Sequence, residues 1–452
     1  MKNVLLLMGR GIEGTGNTRI TIELEEYLKS AGFNAWTVAA SDKDWGRIKS
    51  QENDIILHKF ADGPYMPEEG VPMPDVVLIT SVPAKEKLSS KVMEDHKDDV
   101  FSLYENFTKT LEDLKYQGAK IVYLQVDHKI HSINRNYYVY EDYTKRFFPI
   151  IDRIISHNLK NDFFTKFIAK KIAPLNIEGI HYDVKEQLLI SCDFDAESSL
   201  ITKREKIPGL CYFIGRSARW KGWREFRDFH FNYLKDNGFI SIIEGIETSI
   251  NAKQDLYDEV NGKLTHAKDT NIVLLIYLKD EKNVYDDLKE LQNSAHRYEI
   301  AEKLVDNIKA DATPYKNKPI FVCGPYNRRE ALNRVSQSKF GMFFTFIGED
   351  YSGPIENTFL EIVASGTIPV IRKELYETAQ FNGDKLSNYN PADIGILVYD
   401  EENPKVCLDS MRVLDYSDEM YNKYLNRVVS FCKANFDRSV ILKRVADLLD
   451  IA

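Results

Sequence analysis

Two segments with the same plan constrain the fold of this chain most strongly, one near its start and one near its middle. In each, an apolar run ends at a glycine and leads into a polar stretch: Val4–Met8 precedes Gly9–Gly16, and Leu210–Ile214 precedes Gly215–Arg227. An uninterrupted apolar run suits a parallel strand that is buried on both faces. A strand, a glycine turn and a helix in this order form the phosphate-binding start of an αβ unit. At 452 residues the chain exceeds the usual size of one core, so we predict two αβ domains that face each other across a cleft.

Short apolar runs alternate with amphipathic stretches along both halves, as in doubly wound parallel sheets. We predict strands at Val4–Met8, Ala35–Ala39, Val76–Ile79, Lys120–Val126, Ile151–Ile155, Leu210–Ile214, Ile240–Ile243, Ile272–Leu278, Ile320–Val322, Met342–Phe346 and Ile368–Ile371. We predict helices at Thr18–Ser30, Tyr104–Gln117, Arg329–Ser338, Asn357–Ala364, Ser417–Asn435 and Arg438–Asp450. The linker is expected within residues 179–209, between a first Rossmann-like domain over 1–190 and a second over 205–435.

The composition narrows the class of protein. A formal net charge of −9 argues against a generally basic nucleic-acid coat, although it is compatible with a local basic groove. The five cysteines are far apart and show no metal-ligand spacing, so we expect buried free thiols in a reducing cytoplasm. They are Cys192, Cys211, Cys323, Cys407 and Cys432. No apolar run approaches the roughly 20 residues of a membrane span, and we expect a soluble, cytoplasmic protein.

The second glycine turn is rich in cations. Gly215 is followed by Arg216, Arg219, Lys221, Arg224 and Arg227, with Glu225 as the acid among them. Backbone N–H groups at a helix N-terminus and long cationic side chains both bind phosphate, so we predict a diphosphate site here. A charged, solvated helix face is the alternative.

The first glycine turn is less specific. Gly11, Gly14 and Gly16 permit a tight turn and the close approach of another molecule, but a merely flexible turn is the alternative. Their spacing differs from the dinucleotide fingerprint, and Ala39–Ser41 offers no acid to a nicotinamide ribose. A nicotinamide cofactor is therefore not expected.

Asp127 and His128 close a predicted strand, at the sheet edge where αβ proteins place their ligands. A carboxylate there can orient or deprotonate an acceptor hydroxyl, with His128 assisting; a helix cap is the alternative. The stretch from His128 to Phe148 mixes aromatic rings with cations, which suits base stacking and phosphate contacts. An amphipathic helix that faces the core explains it equally well. The lysines of Lys160–Lys171 add positive charge, usually a sign of a solvated face.

Two acids, Glu356 and Glu361, precede and enter the predicted helix Asn357–Ala364. A helix N-terminus can meet a phosphate, and a carboxylate one turn further on can chelate the two hydroxyls of a ribose. Docking of the helix on its sheet explains the small residues Ala364–Gly366, but it does not explain the acids.

The segment that begins at Glu361, E-I-V-A-S-G-T-I-P-V, resembles the donor-site signature of GT-B glycosyltransferases. More narrowly, the chain resembles the DNA alpha-glucosyltransferases of T-even bacteriophages. The matching segments fall in order through both halves: M-G-R-G-I-E-G-T-G-N-T, I-T-S-V-P-A, V-D-H-K-I-H-S-I-N-R-N, I-I-S-H-N, I-G-R-S-A-R-W-K-G-W, D-F-H, I-E-G-I-E-T-S and F-L-E-I-V-A-S-G-T-I-P-V.

This resemblance implies a GT-B fold, in which two Rossmann-like domains face a central cleft and a final helix, residues 436–452, crosses back to complete the first domain. It implies transfer of a sugar from a UDP-sugar to 5-hydroxymethylcytosine in double-stranded DNA, with base flipping and with retention at the anomeric carbon. The first domain would take the DNA and the second the UDP-sugar. No obligatory metal is expected, and the protein would act as a monomer in the cytoplasm of an infected bacterium.

The resemblance also assigns roles to residues. Catalytic roles fall on Asp127, His128, Arg216 and Lys221. The donor-binding set is Gly11, Glu13, Gly14, Gly16, Gly215, Arg216, Lys221, Glu356, Asn357, Thr358 and Glu361. The DNA-binding set is Lys129, Arg135, Asn136, Tyr137, Lys145, Arg146 and Lys160. In these sets Arg216 and Lys221 clamp the diphosphate and Glu361 the ribose, while the Gly11–Gly16 loop borders the sugar and Asp127 meets the acceptor hydroxyl.

The chain departs from the patterns it resembles at three places. Val126 stands where the phage enzymes carry a histidine, Gly353 stands where other glycosyltransferases of the wider superfamily carry an acid, and residues 251–317 include extra sequence. A pentose donor such as UDP-arabinose therefore stays open beside UDP-glucose, as does an acceptor base that already bears a sugar. Two other classes also stay open: a GT-B enzyme that acts on a glycan or small molecule, and a non-catalytic protein that binds nucleotides or nucleic acid.

Overall fold

A computed structural model describes residues 2–9, 16–40, 55–83, 97–125, 146–156, 181–183, 192–201, 205–215, 221–246, 304–315, 320–323, 328–345, 356–381 and 384–448. Within them the chain forms two sheets in which every neighbouring pair of strands is parallel. Among the described helices, none has the length and the apolar character that a membrane span requires.

The strands of the first sheet are β1 (Asn3–Met8), β2 (Asn34–Ala40), β3 (Ile56–His58), β4 (Val76–Ser81), β5 (Lys120–Gln125), β6 (Arg153–Ser156) and β7 (His181–Asp183). Their order in the sheet is β3-β2-β1-β4-β5-β6-β7. Its described helices are α1 (Gly16–Ser30) and α2 (Lys97–Tyr116). Alternate residues of β1 enter different apolar clusters, Leu5 and Leu7 on one face and Val4 and Leu6 on the other. Both faces are therefore covered, which explains the continuous apolar run.

The strands of the second sheet are β8 (Ile207–Ile214), β9 (Ile240–Ile246), β10 (Ile320–Cys323), β11 (Ser338–Phe343), β12 (Ile368–Arg372) and β15 (Leu397–Tyr399). Their order in the sheet is β10-β9-β8-β11-β12-β15. Outside this sheet, β13 (Gln380–Phe381) pairs with β14 (Asp384–Lys385) as an antiparallel ribbon. The helices after β7 are α3 (Phe194–Leu200), α4 (Trp223–Phe229), α5 (Arg328–Val335), α6 (Asn357–Ala364), α7 (Lys373–Thr378), α8 (Pro404–Tyr416), α9 (Asp418–Phe436) and α10 (Arg438–Leu448). Helix α4 continues as a π-helical turn over His230–Leu234.

The last helix, α10, returns to the first sheet and packs there through Leu442, while its neighbour Ile441 joins the apolar cluster of the second half. Leu442 joins the cluster that contains Val4 and Leu6, and Arg438 pairs with Glu26 of α1. The two segments that connect the halves lie side by side, because Cys192 N donates to Phe436 O and Arg438 N donates to Cys192 O, both at 3.1 Å. The predicted return of the final helix to the first half is confirmed.

Some of the predicted elements differ in their bounds from the observed ones, and one lies outside the described residues. The predicted linker, 179–209, contains β7 of the first sheet and α3. The strand predicted at Met342–Phe346 begins at Ser338 and ends at Phe343, and the preceding helix ends at Val335 rather than Ser338. Ser338 and Lys339 are buried in the strand although they are polar, so their residue types gave no strand signal. The strand predicted at Ile272–Leu278 lies outside the described residues.

Four of the cysteines are buried free thiols, as predicted: Cys192, Cys211, Cys407 and Cys432. The side chain of Cys323 lies outside the described residues.

Candidate functional site

The first glycine of each predicted turn lies where the strand order of a sheet reverses. In the first sheet β2 and β4 flank β1, and in the second β9 and β11 flank β8, so successive strands depart in opposite directions from β1 and from β8. Open αβ sheets bind ligands in the crevice that this reversal creates at the carboxyl ends of the strands. Gly9 directly follows β1 and Gly215 directly follows β8, which places both glycines at such crevices.

At the first crevice the ends of β1 and β4 approach closely. Gly9 N donates to Ser81 O at 2.7 Å, and a Cβ at Gly9 would lie 2.3 Å from Pro83 Cδ. The hydroxyls of Thr21 and Thr80 share a buried hydrogen bond of 2.8 Å, which fastens α1 to β4. A side chain at position 9 would force the strands apart, so glycine is needed there.

At the second crevice α4 begins against the end of β11. Gly215 N donates to Glu244 O at 3.0 Å, which ties the turn to β9. Gly222, the N-cap of α4, has φ +73°, and a Cβ there would lie 2.0 Å from Phe344 O. Left-handed backbone and this close approach both require glycine. The glycine of W-K-G-W thus brings the start of α4 to the carboxyl edge of the sheet.

Helix α6 reaches the same edge, and its apolar face packs on β11. Ile362 covers Gly341, where a Cβ would lie 2.3 Å from Ile362 Cγ2, and Phe359 meets the ring of Phe343 at 5.9 Å between centroids. The predicted bounds Asn357–Ala364 are confirmed. The remaining predicted donor ligands on α6 are half-buried: Asn357, Thr358 and Glu361.

Two predicted donor ligands, 135 residues apart, are in contact at this edge. The Lys221 ammonium, just before α4, forms an ion pair with the Glu356 carboxylate, which is the N-cap residue of α6. Their side chains are 13% and 7% exposed, so the pair is largely shielded from water. Among the described residues, the Glu356 side chain makes no capping hydrogen bond to the first N–H groups of α6. The N-termini of two helices and one ammonium therefore converge, an arrangement that favours an anion.

A buried charged network below Gly215 was missed by sequence reasoning. Arg334 of α5 pairs with Glu244 of β9, with Nε 3.1 Å from Oε2, and the hydroxyl of Tyr212 of β8 donates to the same carboxylate. Burial, followed by the charge of Glu244, raises the pKa of Tyr212 well above its usual value. Because the Glu244 carbonyl accepts from Gly215 N, this network fixes the strand that holds the turn. An acid inside the apolar strand Ile240–Ile246 was the available signal.

Among the predicted DNA ligands, the structure describes Arg146. It pairs with Glu105 and Glu112 of α2, so its charge is balanced locally. Gly16 opens α1, and β5 ends at Gln125, two positions before Asp127 along the chain. The other predicted site residues lie outside the described residues: Gly11, Glu13, Gly14, Asp127, His128, Lys129, Arg135, Asn136, Tyr137, Lys145, Lys160 and Arg216.

The family model of the DNA alpha-glucosyltransferases matches residues 15–255 and 291–419, which include the switch-point turn of the second sheet and α6. The chain belongs to the DNA alpha-glucosyltransferase family. It is thus a glycosyltransferase, and its two parallel sheets are those of the GT-B fold. The family model leaves out residues 256–290, inside the segment 251–317 that the sequence marked as extra.

Individual relatives in this family match over nearly their whole length. The DNA alpha-glucosyltransferase of Enterobacteria phage T4 is 24% identical over 460 residues, covering 99% of each chain. A solved alpha-glucosyltransferase in complex with UDP and a 13-mer DNA containing a HMU base superposes with a TM-score of 0.68, at 23% identity and 99% coverage of both chains. An alpha-glucosyltransferase bound to UDP-glucose and abasic DNA gives a TM-score of 0.68 at 22% identity, again with 99% coverage of both chains.

Proposed function

We propose that this protein transfers a sugar from a UDP-sugar to 5-hydroxymethylcytosine in double-stranded DNA. The observation that carries the proposal is the convergence of Lys221 with the N-termini of α4 and α6 at the switch point of the second sheet. That edge offers positive charge for a diphosphate and a half-buried carboxylate, Glu361, for a ribose. The relatives named above, which hold UDP or UDP-glucose together with DNA, support the same assignment.

In the proposed reaction the second half, residues 205–435, binds the donor. Lys221 and Arg216 stabilise the charge that develops on the departing UDP, and a preformed cationic site does this without reorganisation. The first half, residues 1–190 together with the last helix, takes the DNA. The target base leaves the helix so that its hydroxymethyl oxygen can reach the donor beside Asp127, and the anomeric configuration is retained.

The transferred sugar is expected to be glucose, on the strength of the family. Val126 replaces the histidine of the phage pattern directly before Asp127, which makes a pentose such as arabinose the second candidate. The protein is proposed to work as a monomer in the cytoplasm of an infected bacterium.

The direct test is to incubate the protein with hydroxymethylcytosine DNA and a panel of UDP-sugars, then to weigh the digested nucleosides. We expect the modified nucleoside to gain the mass of one sugar, from UDP-glucose or from UDP-arabinose, and the same DNA with ordinary cytosine to gain none. Transfer to a glycan or a small molecule without transfer to DNA would overturn the proposal. A mass gain on bases that are already glycosylated, and on no others, would show that the acceptor is a glycosylated hydroxymethylcytosine.

The donor site has its own test in Lys221→Met. Loss of a charged hydrogen bond to the departing diphosphate should lower the transfer rate at least about tenfold. Lys405→Met, at an exposed position of α8, serves as the matched control and should retain the wild-type rate. Thermal unfolding of both variants separates a lost contact from a lost fold. Equal transfer rates for the two variants would show that Lys221 does not contact the departing diphosphate.

A further inference from the structure

The Glu356 carboxylate stands where an anionic ligand of Lys221 would bind. It pairs with the Lys221 ammonium, and both side chains are largely buried, at 7% and 13% exposure. Among the described residues its side chain makes no hydrogen bond to the first N–H groups of α6, although it occupies the N-cap position and its backbone carbonyl accepts from Phe359 N at 3.0 Å. Its position therefore serves the ammonium rather than the helix, and a diphosphate that approaches Lys221 meets a carboxylate already in place.

The donor and the product of sugar transfer differ in charge at this point. In a UDP-sugar each phosphate carries one ester and one anhydride linkage, and therefore one negative charge. The terminal phosphate of free UDP is linked through its anhydride oxygen alone, and its second ionisation has a pKa near 6. Free UDP therefore carries an additional negative charge near neutral pH, on the oxygen that held the sugar. If the diphosphate and Glu356 share one ammonium, their charged atoms lie within roughly 6 Å of each other, the sum of two charged hydrogen bonds. At such a distance in a shielded site, like charges repel strongly.

We propose that Glu356 makes the site discriminate against free UDP relative to the UDP-sugar, so that the product leaves after transfer. The Glu356 carboxylate competes with both molecules for Lys221. It repels free UDP more strongly than the UDP-sugar, because free UDP carries the additional negative charge. This inference rests on the proposed function, because it requires that the diphosphate of a UDP-sugar binds Lys221.

The test is Glu356→Gln in the full chain, titrated calorimetrically with UDP and with UDP-glucose in the absence of DNA. We expect the Kd of UDP to fall about tenfold and that of UDP-glucose to fall threefold or less, which follows from the charge difference. Inhibition of transfer by added UDP should strengthen in parallel. The matched control is Glu374→Gln, which removes the same charge on α7, where Glu374 lies 3.9 Å from Arg372 of β12. It should leave the ratio of the two affinities unchanged.

A second pair of variants keeps the test decisive if Glu356→Gln alone does not fold. Lys221→Met/Glu356→Gln removes both charges of the pair, and its comparison with Lys221→Met isolates the direct repulsion. In the Lys221→Met background, adding Glu356→Gln should still lower the Kd of UDP by a larger factor than the Kd of UDP-glucose.

Two results would overturn the inference. If Glu356→Gln weakens UDP binding, then Glu356 holds Lys221 in position and does not oppose the product. If it tightens UDP and UDP-glucose equally, there is no discrimination. A wild-type protein that binds neither molecule would instead refute the proposed function, so the two failures are distinguishable.

Discussion

Lys206 shows how the second half tolerates a charge that is largely withdrawn from water. The Lys206 ammonium donates to Ser338 O at 2.8 Å and lies 3.2 Å from Thr367 Oγ1, below the start of the strands. Burial, reinforced by the neighbouring charge of Lys339, lowers the pKa of Lys206 from 10.5 to about 7. A buried ammonium that meets neutral oxygens costs free energy while it stays protonated.

Because the pKa of Lys206 is lowered in the folded protein, we expect folding stability to depend on pH. Between pH 7 and 10.5 the unfolded chain binds the proton of this lysine while the folded protein has released it, so stability should rise with pH. The cost is fully present below pH 7, and it disappears as the pH approaches 10.5. Relative to Lys206→Met, the free energy of unfolding of the wild type should rise by on the order of 1 kcal/mol per pH unit within this window.

Urea unfolding of wild type and Lys206→Met at pH 7, 8 and 9 measures this slope. Lys423→Met, at an exposed position of α9, is the control and should follow the wild type. A constant difference between wild type and Lys206→Met across these pH values would show that the lysine stays charged in the fold.

At the scale of elements, the site depends on how closely helices begin against strands. Gly222 lets α4 start directly on the end of β11, and Gly341 lets α6 lie on the same strand. Because α4 and α6 both pack on β11, their N-termini arrive at one edge of the sheet. Lys221 and Glu356 meet there as a consequence.

Gly222→Ala tests this junction, and Gly238→Ala is its matched control. Both positions have positive φ, +73° and +81°, so both variants carry a cost of about 1 kcal/mol or more for left-handed backbone. At Gly222 the new methyl group would also overlap Phe344 O, whereas no described atom lies within 4 Å of a Cβ at Gly238. We expect Gly222→Ala to lose at least about 2 kcal/mol more stability in urea unfolding than Gly238→Ala. Similar losses of stability in the two variants would mean that the backbone at the β11–α4 junction can move apart at little cost in free energy.

At the scale of the whole molecule, the two halves are joined twice. The chain leaves the first sheet before Cys192 and returns at Asp437, and these positions form a parallel bridge. The returning helix α10 then buries Leu442, which is 4% exposed, in the apolar cluster between α1 and the first sheet. The end of the chain thus stabilises the half that contains its beginning.

Leu442→Ala measures this contribution. Removing a buried leucine side chain should cost about 2–5 kcal/mol of unfolding free energy, from lost burial and from the cavity. Val413→Ala, at a position that is 55% exposed, removes apolar atoms from a helix surface and should stay within about 0.5 kcal/mol of wild type. An equally small effect at Leu442 would show that α10 is not held by its apolar face.

The sequence by itself determined the fold class and the two glycine positions that follow the central strands. Buried parallel strands such as Val4–Met8 and Leu210–Ile214 are continuous apolar runs, and the glycine after each run marks a turn, so local patterns suffice to find them. The bounds predicted for α6, between two apolar runs, are the observed ones. The sequence did not predict the short edge strand β7 or the polar first residue of β11, Ser338, because their residue types resemble those of loops.

The tertiary structure decided which of these residues meet. Sequence patterns report on neighbours along the chain, whereas Lys221 and Glu356 come together because β11 lies beside β8 and each of their helices begins at the same sheet edge. The same holds for Arg334 with Glu244, 90 positions apart, and for Leu442 beneath α1. Strand order and crossover geometry set these contacts through the packing of the whole sheet, and no local run of residues contains that information.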